Sequence, residues 1–215
     1  MPLKTLPTRK KRAKAVIETL RREFPDTRCS LDHGDAWQLL VATILSAQCT
    51  DARVNMVTPD LFARFPTVAD FAAAPIEELE EAIRSTGFYR NKAKSIRGAA
   101  QTIVEQHGGE VPDTMAQLVK VPGAGRKTAN VVLGEIWNRS EGVVVDTHVS
   151  RIAMKLGLSD TKDPVKAERQ LNEVLPREDW RDFTHLVIDH GRAICRARAP
   201  KCDACPIYRW CEVRA

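Results

Sequence analysis

The sequence predicts an all-α fold. Apolar residues near the N-terminus recur at helical spacing and predict a helix over about residues 10–24 with one apolar stripe and one strongly basic face. Residues 36–45 are apolar nearly all round, which is typical of a buried central helix. The run Val143-Val144-Val145 is β-branched but too short to predict a sheet. The apolar stripe consists of Ala13, Val16, Ile17 and Leu20.

Caps and helix breakers predict the remaining helices. Asp35 and Asp51 are in place to cap the helices that follow them, and Pro or Gly separates most of the others. Residues 1–9 contain two prolines and no periodicity, so they are expected to form a loose basic arm. Further helices are expected over about residues 51–64, 68–73, 75–84, 92–106, 114–120, 147–157, 164–175 and 179–191, with one more beginning at about Ala124.

Length and composition are those of a globular protein. The 215 residues, 43% of them hydrophobic, suffice for one large domain or two small ones. No apolar run reaches the roughly 18 residues that a membrane span needs, and charges stand where a signal peptide would be apolar. We therefore expect a cytoplasmic protein of the bacterial or archaeal type without a membrane segment.

The charge distribution favours an anionic partner. The net charge is +5, and basic residues are concentrated toward the two ends of the chain. Residues 1–28 carry nine Lys or Arg against three acids, whereas residues 29–142 carry eleven against fourteen. A basic surface of this kind suits nucleic acid but does not establish it.

A glycine turn at residues 121–125 opens into an apolar helix. Pro122 ends the preceding helix, and Gly123 and Gly125 allow backbone angles that other residues avoid. Exposed backbone N–H groups and the helix N-terminus together predict a phosphate-binding site. Arg126 and Lys127 are cations in a first turn, where the helix dipole disfavours them, and such exceptions occur at functional sites. An ordinary helix connection with a solvated Arg-Lys pair is the alternative.

Lys127 and Asp146 are candidate catalytic residues. A nucleophilic lysine must be neutral, and desolvation, Arg126 and the helix N-terminus would all favour the neutral amine. Asp146 follows an apolar run and precedes a helix, so it is either an N-cap or a partly desolvated catalytic carboxylate. Lysine forms Schiff bases, so the pair indicates covalent catalysis on a carbonyl-like carbon.

Two loops carry candidate nucleic-acid contacts. The segment 84–97 has five basic residues and no acid, and it includes an aromatic turn with Phe88. Cations there would hold phosphates while Phe88 wedges into a base stack, although Phe88 packed in the core is the alternative. Gln48 lies in a polar break between two helices and has no obvious structural role.

Four C-terminal cysteines indicate a metal site. Cys195, Cys202, Cys205 and Cys211 have the spacing Cys-x6-Cys-x2-Cys-x5-Cys. Disulfides are disfavoured in a reducing compartment, and zinc sites usually pair two Cys-x2-Cys knuckles across a long spacer. A single short pair with wider flanking gaps favours a [4Fe–4S] cluster. The first half of this loop also carries cations, among them Arg196, Arg198 and Lys201.

Three motifs occur in the order found in endonuclease III. They are the glycine hairpin ending in Arg-Lys-Thr-Ala-Asn, the Val-Asp-Thr-His motif and the cysteine loop. The chain resembles that family of helix-hairpin-helix DNA glycosylases from about residue 10 to Cys211. The resemblance implies a six-helix barrel domain over residues 29–142 and a cluster domain that joins residues 1–28 to residues 143–215. It also implies a DNA groove between the two domains.

The resemblance further implies a bifunctional DNA glycosylase and abasic-site lyase of base excision repair, acting as a monomer on damaged double-stranded DNA. Lys127 matches the Schiff-base lysine and Asp146 the catalytic aspartate, while Gln48 matches the residue that fills the void left by a flipped base. The substrate would typically be an oxidised pyrimidine, and the [4Fe–4S] cluster would be structural and DNA-facing. The expected DNA contacts are Gln48, Phe88, Pro122, Gly123, Ala124, Gly125, Arg126, Thr128, Arg196, Arg198 and Lys201.

Some positions differ from the family pattern, and two other functions are alternatives to the one that the resemblance implies. Phe88 stands where leucine is frequent, and Ala199 stands where another cation is expected, which affects lesion preference and DNA affinity. An adenine-removing mismatch glycosylase would lack the lysine at position 127. A non-catalytic helix-hairpin-helix module with a structural metal would not need the pairing of Lys127 with Asp146.

Overall fold

The computed structural model describes residues 3–213, in which every regular element is a helix and no strand occurs. The all-α prediction is therefore confirmed. Short 3₁₀-helices cover Arg84–Thr86, Arg177–Asp179, Cys202–Ala204 and Tyr208–Trp210. The α-helices are α1 Leu6–Glu23, α2 Ala36–Leu45, α3 Asp51–Arg64, α4 Val68–Ala73, α5 Ile76–Ala82, α6 Tyr89–His107, α7 Met115–Leu118, α8 Arg126–Trp137, α9 Thr147–Lys155, α10 Pro164–Val174 and α11 Trp180–Ala193.

Helix α1 begins earlier than the sequence predicts. It starts at Leu6 with a proline in its first turn, where the fixed φ of proline suits a helix and its missing N–H has no partner to lose. Two of its arginines do not belong to an exposed basic surface: Arg9, predicted to lie in the loose arm, and Arg12, predicted to lie in the helix, are only 5% and 9% exposed. Arg12 donates to Glu212 Oε1 at 2.8 Å and to the carbonyl of Leu156. The basic face of α1 is therefore narrower than predicted.

Side-chain caps start several helices. Asp35 accepts a hydrogen bond from the backbone N–H of Gln38 at 2.8 Å, as its position before α2 predicts. The cap of α3 is Thr50 rather than Asp51, because the Thr50 hydroxyl accepts from the N–H of Arg53 at 3.2 Å. Asp51 instead occupies the first turn, where the helix dipole favours an acid.

The chain divides into two compact units. One, termed the middle unit, is Cys29–Arg139, and the other, termed the terminal unit, combines the residues up to Arg28 with those from Ser140 onward. The middle unit contains α2 to α8, and the terminal unit contains α1 and α9 to α11. Each unit has its own hydrophobic core.

The core of the middle unit surrounds α2 and an aromatic cluster. Four consecutive α2 residues, Leu39 to Ala42, are fully buried, which agrees with a helix that is apolar nearly all round. Phe71 is also fully buried, with its ring centroid 5.2 Å from that of Trp37 and 5.4 Å from that of Phe65. Burying one such side chain stabilises a fold by about 1.5–3 kcal/mol.

The core of the terminal unit joins the chain's two ends. The α1 stripe packs with residues of α9, α10 and α11, including the fully buried Phe183. Ile207 of the cysteine loop belongs to this core and is 2% exposed, so the loop is held to the helices by its own apolar side chain. None of the helices within residues 3–213 has the length and apolar character needed to cross a membrane.

Candidate functional site

The glycine hairpin packs closely against two helices of the middle unit. Gly123 has φ of +80°, and a Cβ built on it would lie 2.9 Å from Cβ of Ser95 and 3.1 Å from Cδ1 of Ile44. Both the backbone angle and the available space therefore require glycine. The N–H of Ala124 closes the turn by donating to the carbonyl of Val121 at 3.0 Å.

Gly125 has a different role from Gly123. Its φ is −68°, an angle that any residue adopts, so the prediction that both glycines supply unusual angles is wrong for Gly125. A Cβ at this position would meet no atom within 4 Å. The residue is exposed, so its lack of a side chain leaves the start of α8 open to a ligand.

Helix α8 begins at Arg126, two residues later than predicted, with Gly125 as its N-cap. No side chain caps this end, and its first turn contains no acid. The first N–H groups of a helix have no partner within that helix, so this end favours an anion. Arg126 and Lys127 occupy that turn as exposed cations, and Thr128 is half-buried.

Lys127 is exposed, so the protein's own packing does not supply the desolvation that the sequence analysis expects. Of the other hairpin residues, Pro122 is exposed and Ala124 is 2% exposed. The side chain of Ala124 therefore contributes to the core, and only its backbone faces the turn. A ligand that covers the hairpin would have to exclude water from Lys127.

Asp146 is the N-cap of α9, as one of its two predicted roles requires. Its Oδ1 accepts a hydrogen bond from the N–H of Val149 at 2.7 Å. The side chain is half-buried, and it follows the buried Val145. Capping occupies one carboxylate oxygen, so the second oxygen is left for another interaction. Asp146 belongs to the terminal unit and Lys127 to the middle unit.

Gln48 and Phe88 share an unusual backbone conformation. Their φ angles are +52° and +48°, in the left-handed region that residues other than glycine rarely adopt. Both side chains are exposed, and Phe88 is 63% exposed, so the alternative of Phe88 in the core is wrong. Left-handed conformations of this kind cost about 1–3 kcal/mol and cluster at ligand-binding sites.

The basic segment 84–97 is only partly a surface feature. Arg84 and Arg90 lie on the Tyr89 ring, with guanidinium carbons 5.9 and 5.7 Å from its centroid. Lys92, expected among the surface cations, is instead 5% exposed. Sequence reasoning missed this buried cation, although its spacing from Ile96 and the following buried residues of α6 places it on the helix's apolar stripe.

The four cysteines of the C-terminal loop are half-buried and form no disulfide. Burial raises the pKa of the Cys205 thiol, a backbone hydrogen bond from Ile207 opposes this, and the charges of the other three cysteines raise the pKa further. Within residues 3–213, no three His, Cys, Asp or Glu side chains converge as a single metal ion requires.

Donors from two helices of the terminal unit lie against the cysteine loop. Lys155 Nζ lies 3.8 Å from Cys195 Sγ, and Arg151 donates to the Cys195 carbonyl at 2.8 Å. His190 Nε2 lies 3.7 Å from Cys205 Sγ. Burial, and then the charge of Arg151, lower the pKa of His190 to about 4. The loop's cations Arg196, Arg198 and Lys201 are exposed, and Ala199 between them has φ of +50°.

Known proteins resemble this chain over nearly its whole length. Residues 41–177 match the model of the HhH-GPD superfamily base excision DNA repair protein. A protein named endonuclease III from Synechocystis sp. is 49% identical over 209 residues, which cover 97% of this chain and 95% of that protein. Endonuclease III from Bacillus subtilis is 45% identical over 190 residues, which cover 88% of this chain and 86% of that protein.

A solved structure shares both the fold and much of the sequence. It is described as a trapped endonuclease III–DNA covalent intermediate, and it superposes with a TM-score of 0.88 at 40% identity. The match covers 94% of this chain and 95% of that one. The all-helical architecture agrees with these comparisons. The chain belongs to the HhH-GPD superfamily of base excision DNA repair proteins.

Proposed function

We propose that this protein is a bifunctional DNA glycosylase and abasic-site lyase of base excision repair, with the activity of an endonuclease III. The observation that carries the proposal is an exposed lysine, Lys127, in an uncapped helix turn directly after a tight glycine hairpin. Support comes from a 40% identical endonuclease III that has been trapped in a covalent intermediate with DNA. The substrate is double-stranded DNA with a damaged base, typically an oxidised pyrimidine, or with an abasic site.

DNA binding is assigned to the hairpin and to the exposed side chains around it. The open backbone at Gly125 lets a phosphate approach the start of α8, which no side chain of Gly125 caps and whose N–H groups point toward the ligand. Arg126 adds a cation in the same turn. Phe88 would enter the base stack as a wedge, and Gln48 would fill the space left by the flipped nucleotide. The exposed Arg196, Arg198 and Lys201 would add phosphate contacts from the cysteine loop.

The chemistry is assigned to Lys127 and Asp146. The neutral amine of Lys127 attacks C1′ of the damaged nucleotide, and the N-glycosidic bond breaks as the base leaves with a proton. The Asp146 carboxylate would accept the proton that the lysine must lose and would stabilise positive charge on the sugar. The C1′–O4′ bond of the sugar then opens, O4′ takes up a proton to become a hydroxyl, and a Schiff base forms between Lys127 and C1′. Loss of a C2′ proton from this Schiff base expels the 3′ phosphate by β-elimination, and water releases the lysine.

The two compact units are proposed as the two domains of this enzyme, with the barrel domain over residues 29–142. The cluster domain would combine residues 1–28 with residues 143–215. The Cys-x6-Cys-x2-Cys-x5-Cys spacing, in which one short pair has wider gaps on both sides, favours a [4Fe–4S] cluster over one zinc ion, and all four thiols are half-buried in this loop. Nearby Lys155 and Arg151 offset thiolate charge. When bound, the cluster would cross-link the loop, and neither hydrolysis nor elimination needs its electrons.

Iron analysis tests the cofactor assignment. The purified protein should be brown and contain four irons and four acid-labile sulfides per chain, as the cluster formula requires. Cys205→Ser should lower both contents together, because it removes one thiolate. Cys29→Ser, which changes a cysteine of the middle unit, should leave them unchanged. A colourless protein with one zinc per chain would contradict the assignment.

Borohydride trapping tests the proposed activity. Sodium borohydride reduces a Schiff base to a stable amine, so the wild type should become linked to duplex DNA containing thymine glycol or an abasic site. Lys127→Gln should abolish the linkage at saturating protein. Lys120→Gln is the matched control, since Lys120 is also exposed and lies just before the hairpin. Equal linkage by Lys127→Gln and the wild type would refute the proposal, and DNA binding without linkage by any form would favour the non-catalytic alternative.

The enzyme would work in the cytoplasm of a prokaryotic cell, because the chromosomal DNA on which it acts lies there.

Lesion preference should differ from that of relatives with leucine at the wedge position, because the side chain of Phe88 is larger and flat. A panel of duplexes, each with one defined lesion and assayed for both excision and nicking, would measure this preference.

A further inference from the structure

Lys92 is a buried cation that the proposed chemistry does not use. Its side chain is 5% exposed, and its Nζ donates to the carbonyl of Leu45 and to the carbonyl of Thr86, each at 2.8 Å. These carbonyls belong to segments 41 residues apart in the chain. One ammonium therefore joins two separate parts of the middle unit.

Both acceptors lie at the ends of helices. Leu45 is the last residue of α2, and Thr86 is the last residue of the 3₁₀-helix Arg84–Thr86. Carbonyls at a helix C-terminus lack partners within the helix, and they carry the negative end of its dipole. A single lysine thus satisfies two helix ends, each of which would otherwise leave a carbonyl buried without a partner.

Each of these helix ends leads directly into a proposed DNA-inserting residue. Gln48 follows Leu45 by three residues, and Phe88 follows Thr86 by two. Both have left-handed φ angles, which persist only where the surrounding structure imposes them. Lys92 is also bound to the second loop through its backbone, because its N–H donates to the carbonyl of Phe88 at 3.1 Å. The lysine therefore braces the base of both loops.

Stability alone is a weak reason for this arrangement. Burial lowers the pKa of Lys92, an effect that the nearby Cys49 partly opposes, so the ammonium is held at a desolvation cost. Its hydrogen-bond acceptors are neutral carbonyls, which compensate a buried charge less well than a carboxylate does. Buried charged groups of this kind are retained in some proteins because they select one conformation rather than because they add stability.

We propose that Lys92 is a positioning residue that holds the Gln48 loop and the Phe88 loop in one fixed arrangement, so that both side chains enter the duplex together. The inference rests on the proposed function, since it assigns a task only in a protein that flips nucleotides. Its consequence is specific to the step in which the damaged base leaves the stack. Excision of a base that is already unpaired needs little of this help, because unpairing is then no longer required.

The experiment compares one lesion in two contexts. Single-turnover excision of thymine glycol is measured in a fully paired duplex and in the same duplex with an unpaired bubble around the lesion. Lys92→Met, which keeps the length of the side chain and removes its donors, should slow excision from the paired duplex about tenfold more than from the bubble. The wild type defines the reference ratio of the two rates.

Arg9→Met is the matched control. Arg9 is likewise 5% exposed, and its Nη2 donates to two backbone carbonyls, those of Leu158 at 2.6 Å and Gln170 at 3.1 Å. It lies in the terminal unit, so its loss should lower the melting temperature without changing the paired-to-bubble ratio. If Lys92→Met does not fold, Lys92→Gln, which keeps an N–H donor, replaces it in the same comparison.

The outcomes separate the two proposals. A wild type that excises the lesion from neither DNA would refute the proposed function. In a second outcome, the wild type excises the lesion from both DNAs while the Lys92 variant, the wild type and Arg9→Met all have the same ratio of paired-duplex to bubble excision rates. That result would overturn only the positioning role. A ratio that changes in the Lys92 variant alone would support it.

Discussion

Replacing each hairpin glycine by alanine separates packing from phosphate binding. At Gly123 the new Cβ would lie 2.9 Å from Cβ of Ser95 and 3.1 Å from Cδ1 of Ile44, and alanine would be held at φ of +80°. The left-handed angle costs about 1–2 kcal/mol, and overpacking costs a further 1–3 kcal/mol or so. Gly123→Ala should therefore lower the free energy of unfolding by roughly 2–5 kcal/mol.

Gly125→Ala should behave in the opposite way. Its φ of −68° suits alanine, and no atom lies within 4 Å of the new Cβ. A poorer N-cap and a less flexible unfolded chain act in opposite directions, so the free energy of unfolding should change by less than about 1 kcal/mol. DNA affinity should nevertheless fall about tenfold, since the methyl group displaces a phosphate from a charge-assisted hydrogen bond.

Urea unfolding and fluorescence anisotropy with labelled abasic-analogue DNA measure these two quantities. The two variants should differ clearly in the urea midpoint, and Gly125→Ala should bind more weakly than the wild type at equal salt concentration. Equal urea midpoints for the two variants would contradict the packing role of Gly123, and unchanged DNA affinity of Gly125→Ala would contradict phosphate binding at Gly125.

Three more substitutions test other parts of the account. Asp146→Asn should keep the helix cap, because asparagine caps as well as aspartate does, so the melting temperature should barely change. Single-turnover excision should slow, because the amide cannot accept the proton, and an unchanged excision rate would show that Asp146 has no role in the chemistry. Phe88→Ala removes an exposed side chain, so the free energy of unfolding should stay within about 0.5 kcal/mol of the wild-type value while excision from paired DNA slows. A large loss of stability would show that Phe88 has a structural role instead. Burial alone would raise the pKa of Asp182, but hydrogen bonds from Arg21 and Arg181 lower it overall. The stability from this pairing is therefore present above about pH 4, the pKa of an unfolded aspartate, and is lost as the pH falls through the lowered pKa of the folded state. Arg21→Gln should therefore lower stability near pH 7 by up to about 1 kcal/mol, and its difference from the wild type should shrink as the pH falls below about 4. Thermal melts across this pH range would show this, and a difference that does not change with pH would contradict the assignment.

The helices were largely predictable because their signals are local. Asp35 and Asp146 cap helices that the sequence places correctly, and both caps form as the residue types predict. The start of α1 at Leu6 lies before the predicted start because two prolines in residues 1–9 indicate a loose arm, whereas proline is tolerated in the first turn of a helix. Local rules also could not decide between Thr50 and Asp51 as the cap of α3, since either residue type suits that position.

Features that depend on packing between distant segments were not predictable. Lys92 was counted among surface cations, and only its carbonyl partners on two other segments explain its burial. The left-handed conformations of Gln48 and Phe88 also have no local sequence signal, since neither residue is glycine. Gly125 was assigned an unusual angle because the sequence cannot distinguish a glycine needed for its φ from one needed for open space.

The central claim is that the amine of Lys127 forms the covalent bond to DNA. Peptide mass spectrometry of the borohydride-trapped complex, after nuclease and protease digestion, measures this directly. We expect a reduced sugar adduct on the peptide that contains Lys127, with the modification on that residue. An adduct on any other lysine or on the N-terminal amine, with Lys127 unmodified, would contradict it.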